Sequence, residues 1–257
     1  MTVTIKAENV PTRSIILLAG AGFACQAMVR VTDSLLPQIA ADFGTTVGEA
    51  SIVVAAYAVS HGSIQLIIGP VGDRFGKYRT VAVMCALASV LVALCGTVQS
   101  LSALAVARFA SGAAAGWIVP LSMAYVGDVT PYARRQAILA RYLSGQITGQ
   151  LFGQAAGGVL GDLFGWRNVF FVLAAMFALA TAGLIFELLI NPRTRAAHHL
   201  DQVSRGFVAD YAAVLCNPWA RFVILAVFIE ASVGWGAFAM SAPICICASG
   251  SISARSA

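Results

Sequence analysis

Seven long apolar runs, separated by short polar stretches, make up most of the chain. They cover 14–36, 47–69, 80–98, 101–126, 137–160 and 168–190 and then, after a polar stretch over 191–218, 221–240. A membrane-crossing helix needs about 20 predominantly apolar residues, so each run predicts one span. The expected fold is an all-α membrane protein: a six-helix transmembrane bundle over 14–190 and a seventh transmembrane helix over 220–240. A cytoplasmic N-terminus (1–13), a cytoplasmic linker (191–219) and an atypical tail (241–257) complete the expected division. The first run is too long for the core of a secretory leader, and a second follows at once, so no cleaved signal peptide is expected.

Composition excludes a soluble domain. Of 257 residues, 59% are hydrophobic and 11% charged, against about 45–50% and about 25% in soluble proteins; the mean hydropathy is +0.84. The net charge of +5 would suggest nucleic acid if it formed a patch on a soluble face. Instead the basic residues sit between the runs. Lys6, Arg13, Arg74, Lys77, Arg79, Arg134, Arg135, Arg141, Arg193, Arg195, Arg205 and Arg221 fall on one side, and Arg167 alone on the other. Basic loops stay in the cytoplasm. The expected location is therefore the bacterial inner membrane, multi-pass, with the N-terminus cytoplasmic and no nucleic-acid partner. Six cysteines lie mostly inside the runs without zinc or disulfide spacing, so they are read as small buried hydrophobes. No metal and no cofactor is expected. No HExxH motif or Ser/His dyad suggests an enzyme.

A charge at the bilayer centre costs about 2.5–3.5 kcal/mol on insertion scales, so each one needs a reason. Arg30 and Asp33 lie three apart in the first run, on one helical face. They either pair within the helix, or Asp33 serves the bundle interior. Arg108 near the start of the fourth run either snorkels to the interface or faces the bundle and tunes a nearby carboxylate. His61 in the second run and Glu230 in the seventh are further candidates for proton coupling or for the substrate cavity. Glu187 lies near a helix end and reads as interfacial; His198 and His199 read as solvated.

Run five places Gly145, Gly149, Gly153, Gly157 and Gly161 at strict four-residue spacing, with Gly158 beside them. Small residues every fourth position form a ridge that another helix can approach closely. A close helix–helix interface is expected there.

The loop after run two reads Gly69-Pro70-Val71-Gly72-Asp73-Arg74-Phe75-Gly76-Lys77-Tyr78-Arg79. It resembles the signature loop of the major facilitator superfamily, Gly-x-Leu-Ala-Asp-Arg-x-Gly-Arg-Lys, with Val71 and Gly72 in place of Leu and Ala. Gly69 is read as allowing close packing at a helix end, and Gly76 as allowing a tight turn. Asp73 is read as facing a helix N-terminus. Arg108-Phe109-Ala110-Ser111-Gly112 is similar to the fourth-span motif of proton-coupled carriers, with Ser111 where Gln is common. The stretch from Gly149 through Gly153 and Gln154 to Gly157-Gly158 resembles the fifth-span motif of drug/proton antiporters, with Gln154 replacing its Pro. Asp33 with Leu36-Pro37, and Trp166-Arg167 with Phe170-Phe171, agree with the same carriers.

The resemblance implies a six-helix N-terminal half of a major facilitator fold plus one helix, with two halves rocking about a central site. It implies proton-coupled export of a small-molecule substrate by alternating access, with protons and the lipid bilayer as partners. Asp33 would exchange protons, Arg108 would adjust its affinity, and the Asp73 loop would latch one conformation. The run-five glycines would meet the other half. The C-terminal half of the carrier is expected to be missing, and the chain alone to be inactive. An alternative is a non-transporting membrane scaffold or assembly partner that binds through the glycine face.

After Met240 the character changes to a tail rich in small residues and containing Ile244-Cys245-Ile246-Cys247. With C-ending codons that stretch is ATC-TGC-ATC-TGC, which reads Leu-His-Leu-Arg in a shifted frame. A frameshift ending a longer carrier near Met240 is the expectation.

Overall fold

The computed structural model describes residues 11–195 and 215–233. They fall into two units, one within residues 1–199 and one within 200–257. The first is a helical bundle: α1 (Thr12–Phe43), α2 (Val47–Ala50), α3 (Ile52–Ile64), α4 (Ile68–Phe75), α5 (Lys77–Cys95), α6 (Leu101–Ala115), α7 (Ile118–Val129), α8 (Tyr132–Phe164), α9 (Trp166–Ile190) and α10 (Pro192–Arg195).

Local chemistry explains most boundaries. α1 runs past Pro37, where the first apolar run was expected to stop, and ends at Gly44. Gly44 has φ 63°, and Thr45 N donates to Ala40 O at 2.9 Å, a left-handed helix stop that suits glycine. Thr46 caps α2 reciprocally: its Oγ1 accepts from Glu49 N at 3.2 Å, while Glu49 Oε2 accepts from Thr46 N at 2.9 Å. The fourth run is interrupted at Gly116 and Trp117. Pro120 lacks the N–H that would bond the Gly116 carbonyl four residues earlier, and α6 gives way to α7 there. The second run is likewise broken, over 65–67, between α3 and α4.

Five helical segments of the described residues are long and apolar enough to cross a membrane: Thr12–Phe43, Val47–Ile64, Lys77–Cys95, Leu101–Val129 and Trp166–Ile190. α8 has 33 residues and is long enough to cross. However, its Arg, Gln, Ser and Gly content keeps it below the apolarity of the other five. It is covered on one side by α1 rather than exposed all round.

The main partnerships are α1 with α8, α3 with α6, and α5 with α9; α1 also packs on α9, and α5 on α6. Taking α2–α4 and α6–α7 as single segments gives six in order. Exchanging the first three for the last three maps this set of partnerships onto itself, the signature of two three-helix repeats. α1 is well enclosed, with Leu18, Ala21, Cys25, Met28, Val31 and Leu35 buried. α5 and α9 expose Val83, Val90, Leu179 and Leu189, an outward surface suited to lipid. Cys25, Cys85 and Cys95 are buried free thiols and Cys216 is exposed.

In the second unit, residues 218–233 are helical and exposed. Asn217 Oδ1 accepts from Trp219 N at 3.0 Å at the helix start. The remainder of the expected linker, residues 234–240 and the tail with Cys245 and Cys247 lie outside the described residues.

Candidate functional site

α1 carries the chemistry. Arg30 Nη1 donates to Asp33 Oδ2 at 3.0 Å, and both side chains are partly buried. Pro37, one turn on, has no N–H to offer the Asp33 carbonyl. On the same flank Gln26 Nε2 donates to Gln146 Oε1 at 3.2 Å, and Gln150 Nε2 donates to Gln26 Oε1 at 3.4 Å. Ser34 Oγ donates to Gln154 O at 2.9 Å, and Gln38 Nε2 donates to Asp162 Oδ1 at 2.8 Å. A polar seam thus follows α1 and α8 from Gln26 to Gln38, about 18 Å at the helical rise. In an apolar bundle such groups belong to the interior or to a water-filled cavity.

The glycine ridge lies beside this seam. A Cβ added at Gly149 would stand 2.5 Å from Phe23 O, and at Gly157, 2.6 Å from Val31 O. Gly153 abuts Ala27 and Gly161 abuts Leu35. The pairing keeps one register over four contacts, so α1 and α8 run parallel in close contact. Gly145 and Gly158 have open space and are not part of the contact. The expectation that this ridge meets another half or another protein is corrected: α1 already occupies it, and no room is left for a second helix. α6 meets α3 the same way, with Gly112 against Tyr57 and Gly116 against His61 O.

Arg108 on α6 is 0% exposed, which removes the snorkelling alternative. Its guanidinium lies 4.1 Å over the Tyr57 ring and 5.9 Å from that of Phe170. Nη1 reaches Met28 O at 3.5 Å, while Nε and Nη2 have no partner among the described residues. Stacking on aromatic rings contributes about 2 kcal/mol when desolvated, less than the several kcal/mol lost by burying an unpaired ion. His61 stacks on Tyr57 at 5.4 Å. Arg108, Tyr57 and His61 thus form one group between α6 and α3, and the Arg30–Asp33 pair a second on α1.

The signature loop folds as α4, Gly76 and the start of α5. Gly76 has φ 87°, a backbone state that L side chains rarely adopt. Gly69 has nothing within 4 Å of an added Cβ, so the expected close packing is not there. Gly72 supplies it instead, facing Leu121 on α7. Lys77 Nζ donates to Asp128 Oδ2 at 2.6 Å, tying α5 to the end of α7. Arg79 is exposed; the side chains of Asp73 and Arg74 lie outside the described residues. Glu230 is exposed among the described residues, on the helix over 218–233. Among the described residues no three His, Cys, Asp or Glu side chains could hold a metal ion.

Sequence reasoning missed several polar groups. Glu187, read as interfacial, is buried: it accepts from Ser14 Oγ at 2.8 Å and Asn191 Nδ2 at 3.0 Å, and lies 3.3 Å from Arg13 Nε. At the opposite end of α1, Asp42 accepts from Arg167 and from Trp166 Nε1. Gln146, Gln150 and Gln154 at four-residue spacing were a visible signal for the seam; Ser14 and Arg13 against Glu187, and Trp166 and Arg167 against Asp42, more than a hundred residues apart, were not.

The sequence model of the Major Facilitator Superfamily matches residues 18–249. The chain belongs to this superfamily. Among curated superfamily-related proteins, it is 23% identical to an uncharacterized transporter of Buchnera aphidicola over 197 residues, 77% of this chain and 47% of the relative. It is 29% identical over 142 residues to the multidrug export protein EmrB of Haemophilus influenzae, 55% of this chain and 28% of the relative. It is 26% identical over 205 residues to the transporter YgaY of Escherichia coli strain K12, 74% and 50%. The chain spans half or less of the length of each. As a superfamily member it is a multi-pass membrane protein of a transporter family.

Proposed function

We propose that this chain forms the first half, and the beginning of the second, of a proton-coupled exporter of small molecules working by alternating access. The observation that carries the reading is the partly buried Arg30–Asp33 pair on α1, within the polar seam that runs from Gln26 to Gln38. Ionisable residues within transmembrane segments mark ion pathways and proton relays, which supports a coupling role for Asp33. The name of the Haemophilus relative, a multidrug export protein, supports the direction. The basic loops support a cytoplasmic N-terminus, and the bacterial relatives support the inner membrane.

Alternating access requires two halves moving about one site, so the 257-residue chain by itself is inactive in this reading. The test is proteoliposomes loaded with a panel of small-molecule dyes and given a pH gradient. They hold the chain alone, or the chain with the second half of a family relative. Efflux is expected only with the second half, and is expected to disappear in Asp33→Asn. Efflux by the chain alone would refute its being half of a carrier, and efflux indifferent to the gradient would refute proton coupling.

A further inference from the structure

We propose that the group around Arg108 is a binding site for a small monovalent anion, a halide or a carboxylate. The first ground is charge. Arg30 and Asp33 neutralise each other. The other carboxylates with described side chains in the bundle are engaged elsewhere: Asp42 with Arg167, Asp128 with Lys77, Asp162 with Gln38, Glu187 with Arg13, and Glu49 in the Thr46 cap. Asp33 also acts on Arg108 through its charge, so Arg30, Asp33 and Arg108 together carry one net positive charge, and the fully buried Arg108 forms no ion pair among the described residues.

The second ground is geometry. Arg108 Nε and Nη2 and the Tyr57 hydroxyl are all buried and unpartnered among the described residues. The guanidinium carbon lies 4.1 Å from the centre of the Tyr57 ring, which places its donors beside that side chain. Thr32, whose buried hydroxyl also has no partner, lies one turn along α1 from Met28, the residue that Arg108 Nη1 reaches. An anion in contact with these donors would satisfy a charge and several hydrogen bonds at once. A single guanidinium balances a single negative charge; a divalent anion would carry uncompensated charge into the bundle. The full burial of Met28 and Ser111 beside Arg108 limits the anion to a small one. The anion comes either from solution or as the carboxylate of a transported molecule.

The test is binding and needs no transport, so it stands apart from the exporter reading. Chloride NMR line broadening is followed on the purified 257-residue chain in detergent with gluconate as the background anion. Saturable broadening is expected. Arg108→Gln should weaken it about tenfold or more, and Tyr57→Phe, which keeps the ring and removes the donor, about fivefold. Tyr57→Phe decides the matter if Arg108→Gln does not fold. Displacement of chloride by acetate identifies the carboxylate source, and retention of chloride identifies the halide. Absence of saturable broadening, or broadening unchanged in Tyr57→Phe, overturns the site.

Discussion

Gly153 of α8 lies directly on the backbone of Ala27 of α1, so that a Cβ at position 153 would overlap the Ala27 carbonyl oxygen. Gly153→Ala must push the two helices apart or distort one of them. It is expected to destabilise the bundle by about 1–3 kcal/mol, the usual range for overpacking. Gly158→Ala, with open space around it, is expected to stabilise by about 0.5–1 kcal/mol through helix propensity. Thermal unfolding in detergent compares the two; equal midpoints would contradict the register.

Glu187 joins the start of α1 to the end of α9. Glu187→Ala removes the carboxylate that accepts from the buried Ser14 hydroxyl, at a cost of about 1–3 kcal/mol. Glu187→Gln keeps an acceptor and should cost less. Arg13→Ala should cost least, about 0–1 kcal/mol, because the Arg13 side chain is 58% exposed. Denaturation midpoints should rank the variants in that order.

Arg108 trades stability for chemistry. Replacing an unpaired buried charge by an apolar side chain of similar length is neutral, or stabilises by about 1–4 kcal/mol. In chloride-free buffer, Arg108→Met is therefore expected to unfold no lower than the parent chain. A marked fall in its unfolding temperature would mean that the guanidinium holds the bundle together.

The orientation is open to a labelling experiment. Cys216, Cys245 and Cys247 are first replaced by serine. A membrane-impermeant maleimide should then label Gln99→Cys, exposed between α5 and α6, in intact cells, and Arg79→Cys only in inside-out vesicles. The reverse pattern would invert the proposed topology.

Much of this fold was legible along the chain, because a membrane imposes a length and apolarity that local composition reports. The starts of α5, α6 and α9 fall within three residues of their apolar runs. Pro37 misled, since α1 continues past it with one hydrogen bond missing, and the stop comes at Gly44. The run-five glycines announced a close contact, but not with what. Gly69 and Gly72 look alike in the signature loop, yet only Gly72 faces another helix.

The amino-acid order by itself determined which stretches form long apolar helices and which superfamily the chain joins. Those properties depend on composition and on neighbours within a few residues. Tertiary packing alone decided that α1 fills the glycine ridge of α8, that Glu187 is buried against Ser14, and that Arg108 rests on Tyr57. Each of these joins residues tens to more than a hundred positions apart. Their meeting depends on how closely helix backbones approach, which only the assembled bundle sets.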